Sequence, residues 1–279
     1  MQTHVSEPRP PLRAQEVVDH FEAVAPVYYE VVDSYETGLS YYHRRELEAS
    51  MHWIASRGAQ RVLDAGCGPG RLTLRLLSDG RDVVSLDFSR NMLLLVRREG
   101  QRTPAAGSPK LVRGSVDALP FRSNSFDFIV LAEVLEHLPS FPADAGAVFS
   151  EVARVLQSHG YFVLEFPLVA HTLLRRLPRA TVPWATFAKP EWDAVPRPPL
   201  RFQRRFRLCT VERMLRKVGF AILERRYFRV VPSGFVRMLP GLEKVDSVLE
   251  KVLLIRSFAR EVVLLVQKRK GVDGTREAG

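Results

Sequence analysis

The stretch VLDAGCGPG, residues 62 to 70, ends an apolar run in an acid, Asp64, and then sets Gly66, Gly68 and Gly70 in alternation. Glycines so spaced leave bare backbone, the surface that a nucleotide-like ligand needs for close approach. The dinucleotide pattern G-x-G-x-x-G fails here, because its last glycine is replaced by Arg71. A carboxylate beside that loop repels a pyrophosphate and attracts a cationic amine or sulfonium. A second acid, Asp87, closes VVSLDFS, where a carboxylate can accept from both hydroxyls of a ribose. Together these features favour S-adenosylmethionine over a dinucleotide.

A second group that could do chemistry is EVLEH, with Glu133, Glu136 and His137. His137 is the candidate general base if a hydroxyl proton must leave, with Glu133 beside it; a hydrogen-bonded structural histidine is the alternative. Two carboxylates and an imidazole could also hold a cation, but no fourth ligand is identifiable and no metal is assigned. Cys67, inside the glycine run, reads as a small filler rather than a nucleophile. With Cys209 it makes neither a disulfide framework nor a metal-ligand spacing, as suits a reducing compartment.

These residues need elements to hold them. RVLDAG, DVVSLDF, KLVRGS, SFDFIVLAEV and GYFVLEF read as strands, and between them GRLTLRLLSDG, SRNMLLLVRREG and ADAGAVFSEVARVL read as helices. The second of these helices opens on a Ser cap. Such alternation specifies a parallel sheet covered by helices on both faces. TVERMLRKVGF then reads as a helix, and AILERRYFRV and REVVLLVQKR as two further strands. Before the alternation, residues 15–58 show helical spacing interrupted near Pro26 and at 37–39.

Five motifs in order, VLDAGCGPG, SLDFSRNML, GSVDALPF, FDFIVLAEVLEHL and ARVLQSHGYFVLEF, resemble those of class I S-adenosylmethionine-dependent methyltransferases. The resemblance implies a Rossmann-like, seven-stranded, mostly parallel sheet with helices on both faces and an antiparallel last strand. It also implies a site. Asp64, Gly66, Cys67, Gly68 and Gly70 would line the methionine and ribose side, Asp87 would hold the ribose and Phe88 would pack on the adenine. Asp117, with the Val116 backbone, would contact the adenine amino group, and Glu133 would lie near the methionine. The plain readings, a turn residue for Asp117 and core filling for Phe88, stay open. The leading segment HFEAVAPVYYEVV is similar to the opening of quinone-ring C-methyltransferases, and Tyr28 is its candidate cover for the cofactor, helix packing being the alternative.

By this reading 1–14 is a disordered start, 15–58 covers the cofactor site, 59–270 is the catalytic domain with a lid at about 168–200, and 271–279 is a disordered tail. The acceptor is expected to be a small or lipid-linked molecule, sheltered by the lid with Trp184 and Trp192. The net charge is +10, and residues 201–229 carry ten Arg or Lys against Glu212 and Glu224. That patch suits an anionic membrane surface, or RNA in the alternative reading of an RNA-directed methyltransferase. A non-catalytic cofactor-binding protein is the third reading. No apolar run is long enough to span a bilayer and no secretory signal opens the chain, so the expected place is the cytoplasm, with peripheral membrane contact.

Overall fold

The computed structural model describes residues 14–27, 38–102, 108–139, 143–168, 205–231, 241–252 and 258–269. Tyr28, the lid tryptophans Trp184 and Trp192, and both predicted disordered ends, apart from Ala14, lie outside the described residues.

The strands are β1 (Arg61–Ala65), β2 (Asp82–Asp87), β3 (Lys110–Arg113), β4 (Phe126–Ala132), β5 (Leu156–Pro167), β6 (Phe220–Phe228) and β7 (Glu261–Lys268). The helices are α1 (Ala14–Val24), α2 (Gly38–Ser56), α3 (Arg71–Ser78), α4 (Arg90–Arg102), α5 (Ala143–Val155), α6 (Leu208–Lys217) and α7 (Leu242–Leu249). All seven strands join one sheet in the order β3-β2-β1-β4-β5-β7-β6. Every pairing from β3 across to β5 is parallel, and β7 runs antiparallel to both β5 and β6. The Rossmann-like sheet with its antiparallel last strand is therefore present.

Period-2 alternation sends each strand's side chains to two apolar layers. Leu63, Leu86, Ile129, Leu164 and Val262 face one layer, where α5 and α6 bring Val148, Phe149, Val152, Val211 and Leu215. Val62, Val83, Phe128, Val130, Val163 and Val263 face the other, where α2 and α3 bring Trp53, Ile54, Leu72 and Leu76. Because both faces are covered, the central strands read as nearly unbroken apolar runs.

Strand order reverses between β1 and β4, since β1 continues to β2 on one side while β4 continues to β5 on the other. Ligands of open α/β sheets bind in the crevice that such a reversal opens at the carboxyl ends of the strands. The ends of β5 and β6 meet the start of β7 at that same edge, through the register partners Pro167–Glu261 and Phe228–Glu261.

Helix α1 docks beside the crevice by an electrostatic contact. A helix start leaves several N–H groups without partners. In α4, Ser89 Oγ accepts from Met92 N–H at 3.1 Å, as the predicted cap requires. The carboxylate of Glu22 in α1 accepts from Arg90 and Asn91 N–H at 2.7 and 3.0 Å. Phe21, next in α1, is thereby set against the ring of Phe88, with centroids 5.7 Å apart.

Among its described residues, 205–229, the basic run does not form one solvated face. Arg216 and Arg225 share Glu212 at 2.8 and 2.6 Å, Arg226 lies over the Trp53 ring at 4.8 Å, and Arg229 turns inward. Much of the charge that reads as a surface patch is spent on contacts within the chain.

Candidate active site at the carboxyl edge of the sheet

The glycine loop leaves β1 and enters α3. Gly66 and Cys67 N–H both bond to Leu86 O of β2, at 2.7 and 3.0 Å, which folds the loop over the ends of two strands. Gly66 has φ +75°, and a Cβ there would overlap Val134 Cγ2 just beyond β4, so only glycine lets β1 and β4 close on each other. Gly68, at φ +52°, differs: a Cβ there would meet nothing and would project into open space. At Gly70 a Cβ would stand 2.8 Å from Val96 Cγ2 of α4.

Both acids are buried beside this loop. Asp87 accepts from Gly68 N–H and from Ser89 N–H, each at 2.8 Å, and so links the loop to the start of α4. Asp64 accepts from Thr73 Oγ1 at 2.7 Å, and that hydroxyl also contacts Ser85 Oγ at 2.7 Å. Burial pushes the Asp64 carboxyl up to about 6 against the pull of Thr73, and burial likewise raises Asp87. Two carboxyls held this way ionise more readily once a cation arrives. Burial raises the Cys67 thiol well above its ordinary range, so it is a neutral filler of the loop.

Of the expected adenine contacts, Phe88 is half-buried, Val116 buried and Asp117 exposed. The Arg113 guanidinium donates to Phe88 O at 3.0 Å, and Gly114 N–H donates to Asp87 O at 3.1 Å. This places 113–117 directly beside the end of β2.

Within EVLEH, Glu133 and His137 turn to different partners. Glu133 has φ +54°, a costly conformation for a residue with a Cβ and one that structures keep at sites of function. It aims its carboxylate at His43 Nε2 of α2 (3.2 Å), Arg71 of α3 (3.2 Å) and Arg229 after β6 (3.5 Å). Burial alone would raise its pKa, but His43, Arg71 and Arg229 together hold it well below the usual range. His137 instead packs its ring on Phe21, centroids 5.0 Å apart, and burial pushes it down to about 4. Among the described residues, the ligand atoms that come within 4.8 Å of one another belong to His43, Glu46 and Glu133. Arg229 already binds both carboxylates of that trio, with Glu46 at 3.1 Å. The donor set is matched by a guanidinium, and no metal chemistry is derived from it.

Next to Glu133, under the ends of β5, β6 and β7, lies a cavity of about 190 Å³ lined by Glu133, Glu136, Pro167, Arg205, Arg229, Arg260 and Glu261. Sequence reasoning missed Arg71, His43, Glu46, Arg229, Arg260 and Glu261. Arg71 sits inside the glycine motif, and its place at the head of α3 was the one available signal. The others come from distant parts of the chain. The described cavity wall is charged.

A family model described as a methyltransferase domain matches residues 63–164, which run from β1 to β5. The demethylmenaquinone methyltransferase of Lactiplantibacillus plantarum is 31% identical over 140 residues, covering 49% of this chain and 56% of that protein. The chain thus spans little more than half the length of this curated relative. In fold, the magnesium protoporphyrin IX methyltransferase of Synechocystis, solved with bound S-adenosylhomocysteine, is similar with TM-score 0.61 at 17% identity over 91% of this chain and 98% of that one. A [4+2]-cyclase, SpnF, is similar with TM-score 0.64 at 16% identity over 93% and 98%. At such identities the likeness shows the fold, and the cyclase is a reminder that chemistry must be argued from the site.

Gly66 and Gly68 give a paired test. Gly66→Ala is expected to destabilise the fold by about 3 kcal/mol or more, from overlap and backbone strain together. Gly68→Ala is expected to cost only about 1 kcal/mol of strain, yet to weaken S-adenosylhomocysteine binding by an order of magnitude or more, because its methyl enters the open side of the loop. Denaturant unfolding and calorimetry on both variants check this, and a Gly68→Ala protein that binds as tightly as the wild type would contradict it. Sheet order, glycine loop, paired acids and family match agree: residues 63–164 match a methyltransferase domain and fold as the class I, S-adenosylmethionine-dependent methyltransferases do.

Proposed function

We propose that this chain moves a methyl group from S-adenosylmethionine to a small-molecule acceptor, with ring compounds of the quinone type as the leading class. The observation that carries the reading is the junction of two half-sites at one sheet edge. Asp64, Asp87 and the bare loop lie over β1 and β2, and a separate cavity lies over β5, β6 and β7, with Glu133 between them. The quinone class rests on relatives named as demethylmenaquinone and ubiquinone/menaquinone methyltransferases.

In this reading Asp87 turns its free lone pairs to the ribose hydroxyls, while Gly66, Cys67, Gly68 and Gly70 give the methionine its path. Phe88, backed by Phe21, packs on the adenine, and Val116 and Asp117 meet its amino group. Asp64 and Glu133 supply negative charge near the sulfonium. Bound S-adenosylmethionine supplies an activated methyl with a neutral leaving group, so the protein's part is alignment and exclusion of water, with no enzyme nucleophile. Tyr28 and the 168–200 segment are proposed as the cover. His137 keeps its ring neutral down to about pH 4, so its lone pair is available as a base, though a weak one. That strength suits an acceptor whose proton is already acidic.

A lipid-like acceptor would be met at a membrane. No helix among the described residues is long and apolar enough to cross one. On and just beyond α7, however, Val245, Val248 and Val252 are exposed at one-face helical spacing, alternating with exposed Lys244 and Lys251. Such a face suits an anionic headgroup layer. Co-sedimentation with phosphatidylglycerol vesicles is expected, lowered severalfold by Val248→Glu; no binding even at low salt would remove this part of the reading.

The activity itself is tested with methyl-labelled S-adenosylmethionine and fractionated extract of cells lacking the protein. Label should enter a small-molecule or lipid fraction with the wild type and not with Asp87→Ala. Label in the RNA fraction would favour RNA as the acceptor. Cofactor binding without transfer to any fraction would leave a non-catalytic binding protein.

A further inference from the structure

The acceptor cavity carries a charge pattern that methyl transfer does not need. Three arginines reach it from three elements. Arg205 precedes the bridge between Phe206 and Leu168, Arg229 follows β6, and Arg260 precedes β7. Backbone bonds fix two of these points: Phe206 N–H to Pro167 O at 2.9 Å, and Leu168 N–H to Arg260 O at 2.7 Å.

Matching the charges leaves a surplus. Arg229 is held by both oxygens of Glu46, each at 3.1 Å. Glu133 is held by Arg71 and His43. Arg205 and Arg260 make no ion pair with a carboxylate among the described residues. Burial lowers the Arg260 pKa, and the like charges of Arg205 and Arg229 lower it further against a smaller opposing pull from Glu261.

Among the described residues the remaining carboxyls near this surplus are Glu136, Glu261 and, buried on β5, Glu165, whose pKa burial also raises. Burial pushes Glu261 up to about 8, against the pull of Arg229 at 3.3 Å, and raises Glu136 well above the usual range, which favours the protonated form of each. Each also has a buried Oε2 with no hydrogen-bond partner. A buried polar atom left so carries a cost that a ligand can remove. Among the described residues the wall therefore offers two guanidiniums without an ion pair and two carboxyls, each with a free Oε2, whose raised pKa favours the form able to donate.

We propose that the acceptor carries an anionic oxygen group, a carboxylate or a phosphate, which seats between Arg260 and Arg205 while Glu136 and Glu261 hydrogen-bond the same ligand. The group anchors the acceptor on the β5–β7 side and leaves its reactive atom toward Glu133 and the cofactor loop. The proposal rests on the methyltransferase reading only in calling this ligand the acceptor.

The test uses the full-length protein, with and without saturating S-adenosylhomocysteine, titrated by calorimetry or ligand-observed NMR with benzoate, phenyl phosphate and neutral benzyl alcohol. One of the two anions should bind with the nucleoside present, and benzyl alcohol should not. Arg260→Gln and Arg205→Gln should each weaken that anion by about tenfold or more, as loss of a charge-assisted contact requires. Arg213→Gln, on the exposed side of α6, should change nothing. Whichever anion binds tighter assigns the group. If Arg260→Gln does not fold, the exposed Arg205→Gln carries the comparison. Equal binding of benzyl alcohol, no binding of either anion, indifference to both arginines, or displacement by S-adenosylhomocysteine would each overturn the proposal. Failure of the nucleoside itself to bind would count against the methyltransferase reading, while the anion titration without it still decides this one.

Discussion

One carboxylate holds the two halves of the site together. Glu133 leaves β4 in a left-handed backbone conformation and takes contacts from α2, from the head of α3 and from the end of β6. A charge held half-buried, as Glu133 is, needs matching partners. The match here draws in His43, Arg71 and Arg229, and Arg229 in turn engages Glu46 and Glu261. Removing Glu133 would take a shared partner from the Arg71 and Arg229 guanidiniums, so the cluster holds these elements in register. Arg229 shares the left-handed conformation, at φ +61°. Strain of this kind persists where surrounding contacts over-determine it.

From that anchor the edge of the sheet divides. On the β1–β2 side stand bare backbone and two buried carboxyls. On the β5–β7 side stand guanidiniums and carboxyls whose pKa burial raises. The parallel sheet places both at one edge because β7 runs backward, so that its start rather than its end lies beside the end of β5. Helix α1 completes the first side by capping α4 with Glu22 and setting Phe21 against both Phe88 and His137.

What the sequence made legible follows from how far apart the cooperating residues lie. Strands and helices showed as local periodicities, and the paired burial of Val62 with Val83 and of Leu63 with Val84 bears them out. The glycine loop was legible because its requirement, backbone without side chains next to an acid, is met within nine residues. The cluster around Glu133 was not, because its partners are supplied by α2, α3 and the end of β6, and only the fold brings them together. Arg229 was the hardest case, since within a run of arginines nothing local separates the one that turns inward from those that meet solvent. The charge of that run was readable, but its division between Glu212, Glu46 and the cavity was not. The EVLEH motif likewise suggested one cooperating group, whereas the turn after β4 sends Glu133 and His137 to different partners.

The central claim is that bare loop and flanking acids form a pocket for a cationic sulfur nucleoside. Isothermal titration of the intact protein with S-adenosylmethionine, S-adenosylhomocysteine and NAD tests it most directly. The account predicts one site for the two sulfur nucleosides, weakened by at least about tenfold in Asp87→Asn, as loss of a charged hydrogen-bond acceptor implies, and no heat with NAD. Strong NAD binding with no response to either sulfur nucleoside would contradict it.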